Sequence, residues 1–208
     1  MYRLFFKRFF DIILSGVAII VLLPVFLILS VYVLGFMGWP VLFGQERIGK
    51  GEKPFKLYKF RSMTNKKDEG GNLLPESERL TKAGIFLRNS SLDELPELWS
   101  IFIGKMSIVG PRPMPTYYAP YFLEHERKRH SVRGGLIPPD SLSGKAVTTY
   151  EEQFKYECDY ADNVSFWLDI KVIFTTFKIL FLRVEEDYGT CERPHLNVYR
   201  KDMGIKKL

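Results

Sequence analysis

A long apolar run dominates the beginning of the chain, where no charged residue occurs between positions 12 and 43. As one straight helix this run would extend roughly 48 Å, whereas the hydrocarbon core of a bilayer is about 30 Å thick. Pro24 falls in the middle of the run, and proline removes a backbone donor and clashes with the preceding helical turn. The pattern therefore predicts a membrane-associated helix that is kinked at Pro24.

Basic residues flank this run on both sides, and such residues mark the cytoplasmic side of a membrane segment. Three precede it and six follow it: Arg3, Lys7 and Arg8, then Arg47, Lys50, Lys53, Lys56, Lys59 and Arg61. A re-entrant helix–break–helix over residues 1–43 keeps both flanks in the cytoplasm, so we predict this form. The alternatives are one tilted span, which leaves one basic flank outside, and a signal peptide, for which the run is too long and lacks an A-x-A-like end.

The next segments predict a small sheet and two helices. Residues 41–63 (VLFGQERIGKGEKPFKLYKFRSM) alternate apolar and polar positions around the turn-like GKGEKP, which predicts a β-hairpin. Residues 64–79 are charged and rich in glycine, which predicts a mobile surface loop. We expect helices over 79–88 and from 94 to about 104. Residues 106–114 (MSIVGPRPM) predict a short strand that ends in a proline-stiffened turn.

The last third of the chain predicts helices around one loop. Residues 117–133 begin with aromatic residues and are expected to end as a charged helix, and residues 134–144 to form a loop. Over 166–182, apolar side chains fall in one arc of about 140° at 100° per residue. They are Phe166, Trp167, Ile170, Ile173, Phe174, Phe177, Leu180 and Phe181, with Asp169, Lys171, Thr175, Thr176 and Lys178 outside the arc. Such an aromatic arc is typical of a helix in the membrane interface, the alternative being a helix on a soluble core.

Together these patterns predict an α+β protein that is mostly helical. Residues 1–43 form the re-entrant membrane helix, and residues 44–208 form one compact cytoplasmic domain with interfacial amphipathic helices and a short sheet. The 208 residues suffice for one domain of ordinary size. Neither Cys158 nor Cys191 lies in a CxxC motif and the three histidines are scattered, which disfavours a structural zinc site or a disulfide framework.

The net charge is compatible with several classes of binding partner and does not distinguish among them. A formal charge of +6 suits a nucleic acid, an anionic membrane surface or a phosphorylated substrate. The aromatic residues, 15% of the chain, are concentrated in apolar runs, which favours the membrane. The basic residues are interleaved with acidic ones rather than forming one stripe, which disfavours nucleic acid.

The stretch SSLDELPE (90–97) places two carboxylates side by side, Asp93 and Glu94. Pro96 is tolerated only in the first turn of a helix, so we expect the helix to begin at Asp93 or Glu94, where free N–H groups attract anions. Arg88 lies upstream, and Arg112 follows in the GPRP turn. Carboxylates can hold Mg²⁺, and one can attack phosphorus, so the pattern favours phosphate chemistry. The alternative is a solvated helix N terminus.

Four blocks of the chain resemble the bacterial sugar transferase family, the monotopic polyprenyl-phosphate phosphoglycosyl transferases, in order and spacing. They are FKRFFDIILSGVAIIVLLPVFLILS, GQERIGKGEKPFKLYKFRSM, LRNSSLDELPELWSIFIGKMSIVGPRP and SFWLDIKVIFTTFKILF. The resemblance runs from about residue 3 to residue 183 and is most specific in the two middle blocks. It implies that residues 44–208 are a catalytic region close to the family's minimal unit.

The resemblance also implies a reaction. Such enzymes transfer a sugar 1-phosphate from a UDP-sugar to undecaprenyl phosphate, releasing UMP, by a ping-pong mechanism with a covalent phosphosugar intermediate. Asp93 matches the nucleophile, and Glu94 matches the acidic neighbour that assists with Mg²⁺ or protons. Mg²⁺ is the expected cofactor, held by both carboxylates, since it offsets the charge of the diphosphate. The expected location is the bacterial inner membrane, with the catalytic region facing the cytoplasm.

Further residues are implied to bind substrate. Arg88 and Arg112 match positions that face phosphate or nucleotide, while Pro111 and Pro113 match a motif that shapes the nucleotide pocket. The remaining matches are Lys59, Arg61 and Arg133. For Arg88 the alternative is an ion pair on its own helix, and for Lys59 and Arg61 a solvated or membrane-surface charge. Gln45 and Arg47 are equally open between structural and substrate-facing roles.

One segment departs from the family pattern, and other functions compete. Many members carry a V[KR]PG[IML]TG-like pattern where this chain has VRGGLIPPDSLSG, so Gly134 replaces a proline in a longer loop, and the sugar is left open. The expected partners are a UDP-sugar, undecaprenyl phosphate and membrane lipids, with a homodimer as an optional state and no nucleic acid. The rivals are a non-enzymatic membrane-anchored protein that binds anionic lipid or nucleic acid, and a single-span scaffold.

Overall fold

The N terminus forms a bent pair of helices. The structure, a computed structural model, describes residues 1–145, 147–182 and 193–204. A π-helical turn (Tyr2–Phe6) leads into α1 (Lys7–Val21), and α2 (Leu23–Met37) follows at an angle of 62°. The break is at Leu22, and Pro24 lies in the first turn of α2, where its missing N–H costs no hydrogen bond. The predicted kink is therefore confirmed, two residues before the proline.

No single helix of the described residues is long and apolar enough to cross a membrane. The bent pair of α1 and α2 has the length and apolar composition to enter one. Much of its surface is exposed, as at Ile20, Ile28, Val31 and Phe36. Its inner side packs on the rest of the molecule, because Leu29, Val33 and Met37 share a buried cluster with Phe60, Ala83 and Leu87.

The predicted β-hairpin is confirmed. Strands β1 (Leu42–Ile48) and β2 (Pro54–Phe60) pair antiparallel. On one face of β2, Phe55 and Leu57 are buried against residues near Leu98 and Ile101. Side chains two positions apart share a face of a strand, so Lys59 emerges on that same face. The alternation of β2 thus directs one cation towards the acidic stretch.

The acidic stretch differs from its predicted helix. After α3 (Glu76–Arg79) and α4 (Lys82–Asn89), residues Leu92–Glu94 form a 3₁₀ turn, and α5 (Glu97–Phe102) begins only after Pro96. The helix predicted over 79–88 starts at Lys82, because the Thr81 side chain caps it by accepting from the Gly84 N–H. The helix predicted from Asp93 or Glu94 is a six-residue helix that starts one turn later.

Two short strands pair in parallel where only the first was predicted. Strand β3 (Ser107–Val109) lies beside β4 (Gly135–Ile137), and a 3₁₀ turn (Pro139–Ser143) follows. The prediction of a loop over 134–144 missed this strand. A β-carbon on Gly134 would lie 2.6 Å from Cγ of Pro113, and one on Gly135 would lie 2.1 Å from N of Gly110. The two glycines therefore permit the close approach that the paired strands require.

The rest of the chain closes over this pair. Two 3₁₀ segments (Thr116–Tyr121 and Glu124–Ser131) take the place of the predicted charged α-helix. Three α-helices follow: α6 (Tyr150–Asp162), α7 (Phe166–Leu182) and α8 (Leu196–Asp202). Aromatic and aliphatic residues from these parts share one buried cluster that includes Phe122, Phe154 and Leu196. Mostly helical, with short two-stranded sheets, the described chain confirms the coarse fold prediction.

Helix α7 is confirmed, and one of its polar residues, Asp169, is buried. Trp167 and Phe174 of the aromatic arc are 77% and 70% exposed, whereas Asp169 is only 5% exposed. The Asp169 carboxylate accepts from the Tyr2 hydroxyl at 2.5 Å and forms an ion pair of 2.7 Å with Lys7. Its other oxygen accepts from the Tyr160 hydroxyl at 2.5 Å. The helix therefore packs through the side that carries Asp169 and Val172 and turns Trp167 and Phe174 outward.

Candidate active site

The two adjacent carboxylates lie in a strained turn. Ser91, which precedes the 3₁₀ turn, adopts φ 53° and ψ 17°. This left-handed conformation costs a non-glycine residue roughly 1 kcal/mol or more and often marks a functional site. The turn and Pro96 together fix the direction in which Asp93 and Glu94 project from the backbone.

Glu94 is engaged by two cations. Its Oε1 atom lies 2.6 Å from Nζ of Lys59 and 3.0 Å from Nη2 of Arg112. Lys59 also pairs with Glu97 at 3.2 Å, one helical turn further along. Burial acts to raise the pKa of Glu94, but Arg112 and Lys59 outweigh it and hold that pKa below its usual value. Glu94 is therefore an ionised, neutralised carboxylate.

Asp93 is in a different state. Its side chain is 8% exposed, and in residues 1–145, 147–182 and 193–204 no basic group forms an ion pair with it. Burial raises its pKa above the usual value, Lys59 and Arg88 partly offset this effect, and Glu94 adds to it. The environment thus pushes the pKa values of the two neighbours apart, as acid–base and nucleophilic sites do.

A buried ion pair holds the backbone of Arg112 in place. Glu157 Oε1 accepts from the Arg112 N–H at 2.8 Å, and Arg129 Nη2 donates to the Arg112 carbonyl at 2.7 Å. Arg129 Nε also donates to Glu157 Oε2 at 2.6 Å, and both side chains are fully buried. The N–H and the carbonyl of Arg112 are therefore both held by hydrogen bonds, and the guanidinium reaches Glu94 from this fixed backbone.

A basic cavity of about 550 Å³ opens beside Asp93. Five basic side chains line it: Arg47, Lys59, Arg61, Arg79 and Arg88. Arg88 donates to the Ser62 hydroxyl at 3.0 Å, and Arg61 donates to the Trp39 carbonyl at 2.9 Å. Lys59, Arg61 and Arg88, which the sequence predicted, thus lie together with Asp93 and Glu94.

The other predicted residues have different positions. Pro113 lines a small space beside Glu94 and Arg112, and its carbonyl accepts from Arg47 at 3.1 Å. The carbonyl of Pro111 accepts from the Gly135 N–H at 2.9 Å, so Pro111 secures strand β4. Arg133 is not brought to the carboxylates. It donates to the Gly104 carbonyl at 2.9 Å, at the opposite end of α5, where helix carbonyls attract cations.

Two further cavities adjoin the Glu94–Arg112 pair. The hairpin cavity, about 610 Å³, extends from Arg88, Glu94 and Arg112 to Ala18 and Leu22 at the bend between α1 and α2. The outer cavity, about 450 Å³, shares Arg112 with it and Arg47 with the basic cavity. The pair therefore stands where three spaces meet, one of them next to the apolar helices.

Several residues of this site were not predicted from the sequence. Glu97 is buried against Lys59, and its spacing of one helical turn from Asp93 and Glu94 was an available signal. Arg47, left open between two roles, lines both the basic and the outer cavity. The Arg129–Glu157 pair carried no local signal, because its partners are separated by 28 residues.

The two adjacent carboxylates of this site, Asp93 and Glu94, are candidate metal ligands. In the part of the chain that the structure describes, no group of three or more His, Cys, Asp or Glu side chains is placed to hold a metal. Mg²⁺ typically uses one or two carboxylates and takes its remaining ligands from phosphates and water. Asp93 and the second oxygen of Glu94 are therefore compatible with Mg²⁺ only together with a phosphorylated substrate.

Comparison with known proteins identifies the class. Residues 2–183 match the bacterial sugar transferase family, and the chain belongs to this family. It is therefore a transferase, which confirms the predicted enzyme class and disfavours a non-enzymatic binding protein. An uncharacterized sugar transferase of Bacillus subtilis (strain 168), EpsL, is 39% identical over 173 residues, which cover 83% of this chain and 85% of the relative.

Two longer relatives are named for specific activities. The UDP-glucose:undecaprenyl-phosphate glucose-1-phosphate transferase of Klebsiella pneumoniae is 35% identical over 82% of this chain and 39% of its own length. The UDP-N-acetylgalactosamine-undecaprenyl-phosphate N-acetylgalactosaminephosphotransferase of Aeromonas hydrophila is 33% identical over 85% of this chain and 44% of its own length. The matched region thus spans less than half of these two relatives.

Loss of Arg129 is expected to destabilise the protein strongly. Arg129→Met leaves the buried Glu157 carboxylate without its cation, which we expect to lower the free energy of unfolding by roughly 3–5 kcal/mol. The neighbouring Lys128→Met removes an exposed ion pair with Asp162 and should leave Tm nearly unchanged. Thermal unfolding followed by circular dichroism compares the two variants. The double variant Arg129→Met/Glu157→Gln should recover part of the loss, and equal Tm values for the two single variants would contradict the expectation.

Proposed function

We propose that this protein transfers a sugar 1-phosphate from a UDP-sugar to undecaprenyl phosphate, through a covalent phosphosugar intermediate on Asp93. The products are UMP and a polyprenyl-diphosphate-linked sugar. The activities for which the two longer relatives are named support the donor and acceptor classes. The two relatives are named for different sugars. The proposal therefore specifies the donor class, a UDP-sugar, and does not name the sugar. The unequal environments of Asp93 and Glu94 are the single observation that carries it.

In the first half-reaction, a carboxylate oxygen of Asp93 attacks the β-phosphorus of the donor. A bond forms between this oxygen and phosphorus, the bond from phosphorus to the oxygen bridging the α-phosphate breaks, and UMP departs with that oxygen. Asp93 suits this role because it is buried, lacks an ion-paired partner among the described residues and has a raised pKa. Glu94 does not suit it, because Lys59 and Arg112 already neutralise its charge.

In the second half-reaction, a phosphate oxygen of the acceptor attacks the phosphorus held on Asp93. The new P–O bond completes the polyprenyl diphosphate, and the bond to Asp93 breaks, which restores the carboxylate. The hairpin cavity supports this step, because it joins Arg88 and Arg112 to the apolar residues at the bend between α1 and α2. A lipid tail and its phosphate have opposite solvation needs, and this cavity offers both environments.

The cations of the basic cavity let an anionic nucleophile approach an anionic phosphorus. Lys59, Arg61 and Arg88 line that cavity with Asp93, so they are placed to bind the diphosphate and stabilise charge that develops on it. Mg²⁺ bound by Asp93, Glu94 and the diphosphate would supply additional charge neutralisation.

We also propose that the bent helix pair enters the cytoplasmic face of the bacterial inner membrane and returns to it. The exposed apolar surface of α1 and α2 supports this, since such large patches mark membrane or partner contacts. Exposed Trp99 on α5 and Trp167 and Phe174 on α7 would lie at the headgroup level, as aromatic residues at membrane interfaces do. Basic residues before and after the pair then share the cytoplasmic side.

Incubation with donor alone should load Asp93. Intact-protein mass spectrometry after an acid quench should show a mass gain of one phosphosugar, which peptide mapping assigns to Asp93, and a stoichiometric release of UMP. Asp93→Asn should abolish the mass gain and lower turnover by at least about 10³-fold, as expected for a lost nucleophile. Glu94→Gln should retain a slow mass gain at residue 93. Undiminished UMP release by Asp93→Asn would exclude the covalent route.

The pH dependence should report the ionisation of Asp93. Only the ionised carboxylate attacks, so the rate of UMP release with donor alone should rise with pH through the raised pKa of Asp93. Lys59 lowers that pKa, so Lys59→Met should move the acid limb to higher pH. Lys56→Met, at an exposed position of the same strand, should leave the limb in place. The donor is the same for all three proteins, so differences between their pH profiles reflect the protein. If the acid limb of the pH–rate profile does not move in Lys59→Met, the result would argue against Asp93 as the titrating group.

Cysteine labelling tests the membrane arrangement. In a Cys158→Ser/Cys191→Ser background, Arg3→Cys and Lys66→Cys place single thiols before and after the bent pair. The re-entrant form predicts that a membrane-impermeant maleimide labels neither thiol in intact cells and labels both after permeabilisation. Labelling of the thiol at position 3 alone in intact cells would instead indicate a single span.

A further inference from the structure

The C-terminal segment is part of the folded core although it lies beyond the matched family region, which ends at residue 183. Leu196 of α8 is fully buried in the cluster that contains Phe122 and Phe154. Arg200 is also buried and pairs with Glu126 and, at 3.3 Å, with Glu151. Residues 193–204 are therefore held against the body of the protein through an apolar and an ionic contact.

This segment supplies one wall of the outer cavity. Arg193 lies over the Tyr150 ring, 3.6 Å from its centre, and donates to the Thr148 carbonyl at 2.7 Å and to Gln153 Oε1 at 2.6 Å. His195 Nδ1 pairs with the Tyr118 hydroxyl at 2.8 Å. Its Nε2 makes no hydrogen bond within the described residues, so this nitrogen is available to a ligand. Both side chains line the outer cavity.

The chemistry of the outer cavity suits a nucleoside. Tyr117 presents a ring that is 51% exposed, and bases stack on aromatic rings and on guanidinium planes such as that of Arg193. Asp140 adds a carboxylate, the group that accepts hydrogen bonds from ribose hydroxyls in many nucleotide sites. The Nε2 atom of His195 adds a donor or acceptor for the edge of a pyrimidine.

The position of the outer cavity is consistent with the side of phosphorus from which the leaving nucleotide departs. In phosphoryl transfer the attacking and leaving oxygens are roughly in line, so the leaving nucleotide lies on the side of phosphorus away from the nucleophile. Asp93 lines the basic cavity but is not among the residues of the outer cavity. Arg112 lies between Glu94 and the outer cavity, and it also borders the hairpin cavity proposed for the acceptor.

We infer that the outer cavity binds the uridine of the donor, and that Arg193 and His195 are donor-binding residues contributed by the C-terminal segment. This inference rests on the proposed function, because a UDP-sugar is the ligand assumed. It makes the segment beyond the family match a part of the substrate site. The guanidinium of Arg193 and the Nε2 atom of His195 are the parts of this segment that would contact the uridine.

UMP binding tests the inference directly. Isothermal titration of the full-length detergent-solubilised protein with UMP should show affinity about tenfold weaker for Arg193→Met and for His195→Gln than for the unmodified chain. The KM for the UDP-sugar should rise by a similar factor, while the KM for undecaprenyl phosphate stays unchanged. Lys201→Met, which removes an exposed cation from the same helix segment, should change none of these values.

Each alternative outcome has a distinct meaning. Unchanged UMP affinity and donor KM in both variants, with normal turnover by the unmodified chain, would overturn the inference and leave the proposed function intact. Unchanged UMP affinity with an altered preference among UDP-sugars would assign the cavity to the sugar and overturn the uridine site. Weakened UMP binding in a chain that releases no UMP from any UDP-sugar would support the uridine site and overturn the transferase reaction. His195→Gln keeps the inference testable if Arg193→Met does not fold.

Discussion

The buried ion pair between Arg129 and Glu157 is the constraint on which the site depends. It engages both backbone polar groups of Arg112 and thereby fixes a cation that borders the outer and hairpin cavities and pairs with Glu94. With Arg112 and Lys59 committed to Glu94, the adjacent Asp93 keeps a carboxylate that no cation neutralises within the described residues. A pair of fully buried charges thus influences, two contacts away, which of two neighbouring acids has ion-paired cations.

Besides its hydrophobic core, the molecule buries several charged side chains and exposes many large apolar ones. Arg129, Arg200, Glu126 and Glu157 are buried, while tryptophan and phenylalanine side chains of α5 and α7 face outward. Buried pairs of this kind contribute less to stability than to a unique arrangement, because each charge tolerates only its own partner. Such an arrangement suits a protein that must keep a precise polar site next to an apolar surface.

Local patterns predicted a large part of this structure. The kink near Pro24, the β-hairpin, helix α7 and the proximity of Lys59 and Arg88 to Asp93 all follow from periodicity, proline chemistry or the family resemblance. Strand β4 did not, because a three-residue parallel strand depends on the close approach of Gly134 and Gly135 rather than on its own pattern. The contact of Arg133 with the Gly104 carbonyl could not be predicted from local pattern, because the two residues are 29 positions apart. Asp169 was placed only outside the apolar arc of its helix, and its burial was not predicted because its partners lie 162 and 167 residues away.

The remote partnership of Asp169 also sets an order of assembly. Lys7 and Tyr2 are among the first residues to be synthesised, yet the acceptor that satisfies both is made more than 160 residues later. Throughout translation, therefore, helix α1 exists without its final polar contact and must rely on other surroundings. Docking of α7 onto the N terminus therefore requires a long-range closure that can occur only after Asp169 has been synthesised.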